Sequence, residues 1–304
     1  MKHPRRILLI LLSFLLLGGL AWQVLRPREP VYQGKTLTQW LRQGIGSTNA
    51  EDEKLIVKAV TIIGTNALPV LLQKIQATDS PLKLKFISLI ERQSLIQLDL
   101  PTAYESRCEA FGGFFILGPL ANPAVPKLAE LLPYDDDSGF VAFSLAGIGL
   151  DGALPLVQAL TNSNPGVKHN ALEAFGLMRS LYSGTNYAPD RLAAIPEVGK
   201  IAVRPLLECL ESKDRLARGE AARALGSLGC EPDQVVPALI HQLKGTNYSS
   251  RPALEALGMF GPKAKAAVPA LLEALNGPTF GDRSELTNTL KKIDPAAAAR
   301  AGVK

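Results

Sequence analysis

ARALGSLGCEPDQVVPALIHQL (222–243) and LEALGMFGPKAKAAVPALLEAL (254–275) lie in register at a shift of 32 residues with nine identities. A fixed period of this length is the mark of a repeat array, so the chain is read as one. The identities fall into two blocks. Ala224, Leu225, Gly226 and Gly229 match Ala256, Leu257, Gly258 and Gly261, and Val236, Pro237, Ala238, Leu239 and Leu243 match Val268, Pro269, Ala270, Leu271 and Leu275. A glycine past a helix end and a proline in a first turn predict one helix closing at the glycines and a second opening near the proline.

The same pattern recurs upstream as the match fades. Gly118, Val125, Pro126, Leu128 and Leu132 stand 111 residues before Gly229, Val236, Pro237, Leu239 and Leu243. Further copies read TIIGTNALPVLLQKI (61–75), SLAGIGLDGALPLVQAL (144–160), and AFGLM (174–178) completed by IAVRPLLECL (201–210), six units in all. The 57 residues from Pro69 to Pro126 are nearly two periods, so LKLKFISLIERQSLIQL (82–98) is a candidate degenerate seventh unit. RSELTNTLKKIDPAAAARAG (283–302) reads as a closing half-unit.

Over roughly 50–303 the chain resembles HEAT-repeat proteins, in particular the short bacterial HEAT-like repeats. That resemblance implies two antiparallel helices per unit and an Asp with Arg or Lys at the start of each first helix, forming a ladder between units. Asp214 and Arg218 match it best, Lys168 holds the place in the preceding unit, and Ser250 with Arg251 occupies it in the next.

With 47% hydrophobic but only 6% aromatic residues, the core is to be built from Leu, Ala, Ile and Val. No sustained alternation of period two argues for sheet. The fold class is therefore all-α, a right-handed α-solenoid of antiparallel helix pairs whose stacked units bury a continuous core.

Lys2, Arg5 and Arg6 precede a 19-residue run, Ile7 to Leu25, in which Ser13 and Gln23 are the plainly polar side chains. About 20 apolar residues span a bilayer as a helix, and basic charge stays on the cytoplasmic side. Trp22, Val24 and Leu25 carry the run past Gly19-Leu20-Ala21, which favours an uncleaved anchor over a signal peptide with Ile7–Leu17 as its apolar region. No Cys stands directly after the segment, so no lipid-modified N-terminus is expected. The domain plan is an anchor or signal peptide at 1–28, a stalk and capping helix at 29–50, and the solenoid at 51–304. Either N-terminal reading places the repeats outside the cytoplasm, as a single-pass membrane protein or an exported soluble one.

Residues 26–40 (RPREPVYQGKTLTQW) read as a stiff polar stalk leading into TLTQWL, whose Trp40 and Leu41 would cover the open end of the first unit. YQGKTLTQWL also resembles a segment that precedes the repeats in some membrane-anchored bacterial HEAT-like proteins. Charge argues against nucleic acid. Five basic residues against Glu29 give the first 30 residues +4 of the chain's +5, leaving no basic face for phosphates. Arg215, Arg218 and Arg223 share their helix with Glu220 and read as a solvated face.

Chemistry is sparse. His3, His169 and His241 are widely separated, without Cys or carboxylate at ligand spacing. His241 falls on the polar side of its helix. Neither a G-x-S-x-G motif nor a phosphate-cradling glycine loop occurs, so no catalytic, cofactor-binding or metal residue is expected. Asp135-Asp136-Asp137 lacks the spaced ligands of a calcium loop and reads as a helix start. Among Cys108, Cys209 and Cys230, a bridge between the last two is sterically conceivable, while unpaired thiols acting as small apolar residues are favoured.

The period breaks once, where Pro155 to Pro205 spans 50 residues, an excess of 18 that includes LYSGTNYAPDRLAAIP (181–196). Two readings stand: a binding loop presenting Tyr182, Asn186, Tyr187, Asp190 and Arg191, or a neutral lengthening. The functional expectation is a non-catalytic interaction module or scaffold, held at the membrane through residues 7–25 and lacking a cofactor. Its protein partner, of unknown identity, would lie along Gln158, Glu208, Glu211, His241, Gln242 and Glu273 on the second helices. Short HEAT-like repeats are also similar to those of bilin lyases, which implies an alternative role as such a lyase or as an accessory subunit of an envelope enzyme.

Overall fold

The computed structural model describes residues 29–44, 49–91, 100–135, 139–183, 189–243, 250–276 and 283–302. It opens with a two-stranded hairpin, β1 (Val31–Tyr32) and β2 (Lys35–Thr36), where the sequence pointed to a stiff stalk. Gln33 and Gly34 turn it with φ of 47° and 76°, the left-handed pair that matches the twist of a tight hairpin. The capping helix α1 (Leu37–Gly44) follows, then the first unit, α2 (Ala50–Ile63) and α3 (Leu68–Ile75). An apolar helix α4 (Pro81–Glu91) intervenes before α5 (Ala103–Leu117) with α6 (Val125–Leu131) and α7 (Phe140–Ile148) with α8 (Leu150–Ala159). The array continues with α9 (Pro165–Ser183) and α10 (Ile195–Leu210), α11 (Arg215–Leu228) and α12 (Pro232–Leu243), and α13 (Ser250–Phe260) and α14 (Val268–Asn276). α15 (Arg283–Ile293) and α16 (Pro295–Arg300) close it. The molecule is an α-solenoid of antiparallel helix pairs.

The unit of α11 shows why these residues form this structure. The Asp214 carboxylate accepts the Leu216 N–H and starts the helix. Ala217, Ala221, Ala224, Leu225 and Leu228 recur at helical spacing and are buried. Gly229, at φ 60°, then ends the helix, its N–H returning to the Leu225 carbonyl at 3.0 Å. Gly64, Gly118, Gly149 and Gly261 take positive φ at the equivalent helix ends.

Second helices begin beside the proline in α3, α6 and α14, each after a 3-10 segment: Gly64–Ala67, Gly118–Ala124 and Gly261–Ala267. In α8, α10 and α12 the helix starts further upstream, leaving Pro155, Pro205 and Pro237 inside it. A proline there lacks the N–H for one helical bond and crowds the preceding turn. The expectation that every second helix opens near its proline therefore holds for half of them.

One core runs from Leu37 to Ala298 without interruption. Leu225 and Leu257 are both fully buried, as their matched positions require. Neighbouring first helices approach closely because small residues face each other. A Cβ on Gly226 would lie 2.7 Å from the Ala256 Cα, and one on Gly147 would lie 3.2 Å from the Phe115 Cα. Successive second helices, faced with Leu and Val, meet at fewer points.

α4 stands apart from this stack. α5 packs directly on α2 and α3, so α4 does not stand between them as a stacked helix, and residues 92–98 of the candidate seventh unit lie outside the described residues. The apolar stretch Ala50–Ile75 is long enough to cross a bilayer by length and composition. It is nevertheless a helix pair broken at Gly64, with Ile56, Val60, Ile63 and Leu71 in the core.

Candidate functional site

The residues proposed for partner contact separate into three groups. Gln158, Glu208, Glu211, His241 and Glu273 are exposed on or at the ends of α8, α10, α12 and α14. Gln242 is not available in this way, being buried, with its amide nitrogen donating to the Leu210 carbonyl at 3.3 Å and to Glu211 Oε1 at 3.4 Å. It joins α12 to the end of α10. The insertion differs more. Tyr187 and the Asp190 side chain lie outside the described residues, while Tyr182 and Arg191 are 2% and 8% exposed and point inward.

Much of the excess sequence is absorbed as helix. α9 extends to Ser183, residues Pro189–Ala194 form a 3-10 turn, and α10 begins ten residues before Pro205. The Tyr182 hydroxyl donates to the Ala146 carbonyl at 2.7 Å, and burial pushes its pKa up to about 12. Arg191 Nη2 donates to the Ile116 carbonyl at 2.9 Å and Nη1 to the Gly147 carbonyl at 3.2 Å, with the guanidinium 4.8 Å from the centre of the Phe115 ring. A cation placed on unpaired carbonyls at two helix C-termini meets their partial negative charge. Burial lowers the Arg191 pKa from its ordinary value. The close approach depends on Gly118, where a Cβ would come within 2.5 Å of Nη2. Arg191 and Tyr182 line a cleft of about 500 Å³ with Ile116, Leu117, Leu150 and Asp151.

Arg179 repeats the device. Its Nε and Nη2 donate to the Ser227 and Leu228 carbonyls at the end of α11, at 2.5 and 2.8 Å. Arg191, expected as a partner contact, is instead turned onto backbone carbonyls of other units, and Arg179 carries no sequence signal because its partners are also backbone atoms of another unit.

The ladder between units exists but uses other residues than Asp214 and Arg218. Arg218 holds its own loop through the Ser212 and Lys213 carbonyls. The pairs that cross between first helices are Arg223 with Glu255 at 3.5 Å and Arg251 with Glu285 at 3.3 Å, and Arg251 also meets Glu255 at 3.4 Å. Further along the row, His169 Nδ1 lies 2.6 Å from Glu220 Oε1, off the hydrogen-bonding direction, and Nε2 lies 3.8 Å from Glu173. Burial raises the Glu220 pKa despite the histidine. These groups border a groove of about 410 Å³ with Asn162, Lys168, Ser212 and Asp214. Both ring nitrogens face carboxylates, Glu220 on α11 and Glu173 on α9 itself.

At the other end, Glu109 of α5 is 2% exposed and accepts Arg42 of α1 and Lys74 of α3, each at 2.6 Å. This cluster fastens the cap to the array. Trp40 is 4% exposed and donates to the Tyr32 carbonyl at 3.0 Å, so it covers the first unit. Asp135 accepts the Val141 and Ala142 N–H groups at the start of α7, each at 3.1 Å, while Asp136 and Asp137 lie outside the described residues. Cys108, Cys209 and Cys230 are free, and burial raises the pKa of all three, which suppresses the thiolate. Among the described residues, no group of three or more His, Cys, Asp and Glu is arranged to hold a metal ion.

No curated protein matches the chain. Among solved structures, a designed armadillo repeat protein in complex with the peptide (KR)4 is 16% identical, with 88% of this chain and 99% of that one covered and a TM-score of 0.41. An engineered protein is 20% identical, covering 87% and 97% at a TM-score of 0.40. Computationally designed armadillo repeat proteins for modular peptide recognition are 16% identical, covering 87% and 99% at 0.38. A family model described as HEAT repeats matches residues 203–291, so the units that carry the sequence pattern most strongly are similar to HEAT repeats.

Proposed function

We propose that the protein is a non-catalytic scaffold that binds an extended segment of another protein along its second helices. The apolar run Ile7–Leu25 holds it at the membrane with the repeats outside the cytoplasm. The observation that carries the reading is the row of exposed polar side chains on four successive second helices, Gln158, Glu208, His241 and Glu273, with Glu211 beside it. A stack of like units repeats such side chains along its length, and an extended chain is the ligand shape that meets several at once. Lys2, Arg5 and Arg6 before a run of spanning length support the topology.

The test is crosslinking of the full chain in intact cells beside the Glu208→Ala/Glu211→Ala/Glu273→Ala variant. Loss of the captured protein with an unchanged melt supports the reading; undiminished capture moves the binding surface elsewhere. A reporter fused after Lys304 should be active only outside the cytoplasm, and activity confined to the cytoplasm would overturn the topology.

A further inference from the structure

α4 is the least buried helix in the array for its composition. Leu82, Phe86 and Leu89 are 79%, 52% and 63% exposed, and they recur at i, i+4 and i+7, which aligns them as one stripe. None of its described side chains is buried, and α5 takes the place in the stack that this helix would otherwise fill. A large apolar stripe left on the surface marks an interaction site.

Three observations identify its occupant. The first is where the chain outside the described residues ends. Leu25 closes the apolar run four residues before Glu29, and an extended chain covers at most about 14 Å in four steps. Glu29 therefore lies close to the surface of any bilayer that Ile7–Leu25 spans. The second is how Glu29 connects to α4. Its carboxylate accepts the Thr38 hydroxyl of α1 at 2.6 Å. Burial opposes its ionisation, but hydrogen bonds from Thr38 and Thr36 and the charge of Lys74 hold its pKa below the ordinary value. Lys74 and α1's Arg42 share Glu109, and α4 begins just beyond Lys74, with Asp79 paired to Lys83 at 2.6 Å. The start of α4 and the exit from the membrane thus belong to the same end of the molecule. The third is size and charge. An eleven-residue helix is about 16 Å long and about 10 Å wide, too little for the roughly 800 Å² per partner of a stable protein interface. A tethered helix needs only weak affinity, because tethering supplies a high effective concentration. Lys85 is exposed beside the stripe, where it can meet lipid phosphates.

We propose that α4 lies on the bilayer that anchors the chain, with Leu82, Phe86 and Leu89 in the boundary between headgroups and acyl chains. This rests on the membrane-anchored reading above. The helix then acts as a second attachment that fixes the orientation of the solenoid relative to the membrane.

The test uses the full chain carrying Phe86→Trp, reconstituted in vesicles of phosphatidylcholine and phosphatidylglycerol brominated either high or low on the acyl chain. Trp22 sits within the apolar run and Trp40 is buried, so the wild-type emission reports the anchor and the difference spectrum reports position 86. An interfacial helix buries its apolar face about 5 to 10 Å deep, so the difference signal should lose about half its intensity or more with high bromines, and less with low ones. Adding Leu82→Asp and Leu89→Asp, at two largely exposed positions, should abolish that quenching at an unchanged melting temperature. Quenching of wild-type emission without quenching of the difference signal overturns the docking and leaves the anchor standing. Unquenched emission from both overturns the anchor and the docking together. A difference signal that is blue-shifted, unquenched and lost on protein dilution assigns the stripe to a second copy and likewise overturns the proposal.

Discussion

At the residue scale, the glycines of the first helices separate into those that spacing requires and those it tolerates. Gly226 lies against the Ala256 backbone, whereas a Cβ on Gly258 would meet only Thr289 Oγ1 at 3.5 Å and other side-chain atoms beyond it. Gly226→Ala should therefore lower the melting temperature by forcing α11 and α13 apart. Gly258→Ala should raise stability by about 0.5 to 1 kcal/mol through helix propensity alone. Paired thermal melts distinguish the two. Gly226 and Gly258 occupy matched positions in the repeat, so sequence alone gives them one role; only the neighbour across the interface tells them apart.

Tyr182 supplies a pH dependence at the same scale. Its folded-state value of about 12 exceeds the value near 10 of a free tyrosine, so the fold favours the neutral phenol. Its contribution is complete below pH 10 and is lost as pH rises through 12. The loss is on the order of 2 to 3 kcal/mol. Alkaline melts should fall more steeply for wild type than for Tyr182→Phe, which has no proton to lose; parallel curves would show that the hydroxyl is solvated.

At the element scale, α1 is held by its apolar residues and by Glu109. Glu109 is buried but its two cations keep access to solvent, so removing it loses charge-assisted hydrogen bonds worth on the order of 1.5 to 3 kcal/mol rather than stranding a buried charge. Glu109→Ala should therefore loosen α1 from α5, read as faster proteolysis before residue 49 together with a lower melting temperature. The helix pairs were legible in the sequence because glycine and proline are local signals with a local cause. α4 was legible as a helix but not as an outsider, because its apolar content is that of a stacked unit. What displaces it is the fit of α5 against α3, where a Cβ on Gly113 would lie 2.4 Å from Leu71 Cδ2. The insertion leaves two readings open in the sequence for a related reason. Tyr and Arg in a polar, glycine-containing stretch look like surface residues, and the sequence does not reveal that bare carbonyls at two helix ends wait for them.

At the scale of the whole molecule, an array stabilised by neighbouring units should be best protected in its interior. Hydrogen exchange should be slowest in α9 and α11, faster in α15, and fastest in α4, where burial is least. Uniform protection along the chain would indicate a single cooperative unit. The core residues of the fold were readable from the period, as Leu225 and Leu257 show. The candidate contact row was readable only in part, since Gln242 occupies the same helix as His241 and turns the other way to meet Leu210.

Arg191 has a mechanical consequence. In a coil whose turns touch only their neighbours, bending or stretching is shared along its length as in a spring. Arg191 belongs to the unit of α9 and α10, yet it grips the ends of α5 and α7, the two preceding turns. Three turns are thereby stitched into one stiff block. A pull between the two ends of the array would extend the C-terminal turns first, and Arg191→Met would let the strain spread evenly, which force spectroscopy would record as a softer spring.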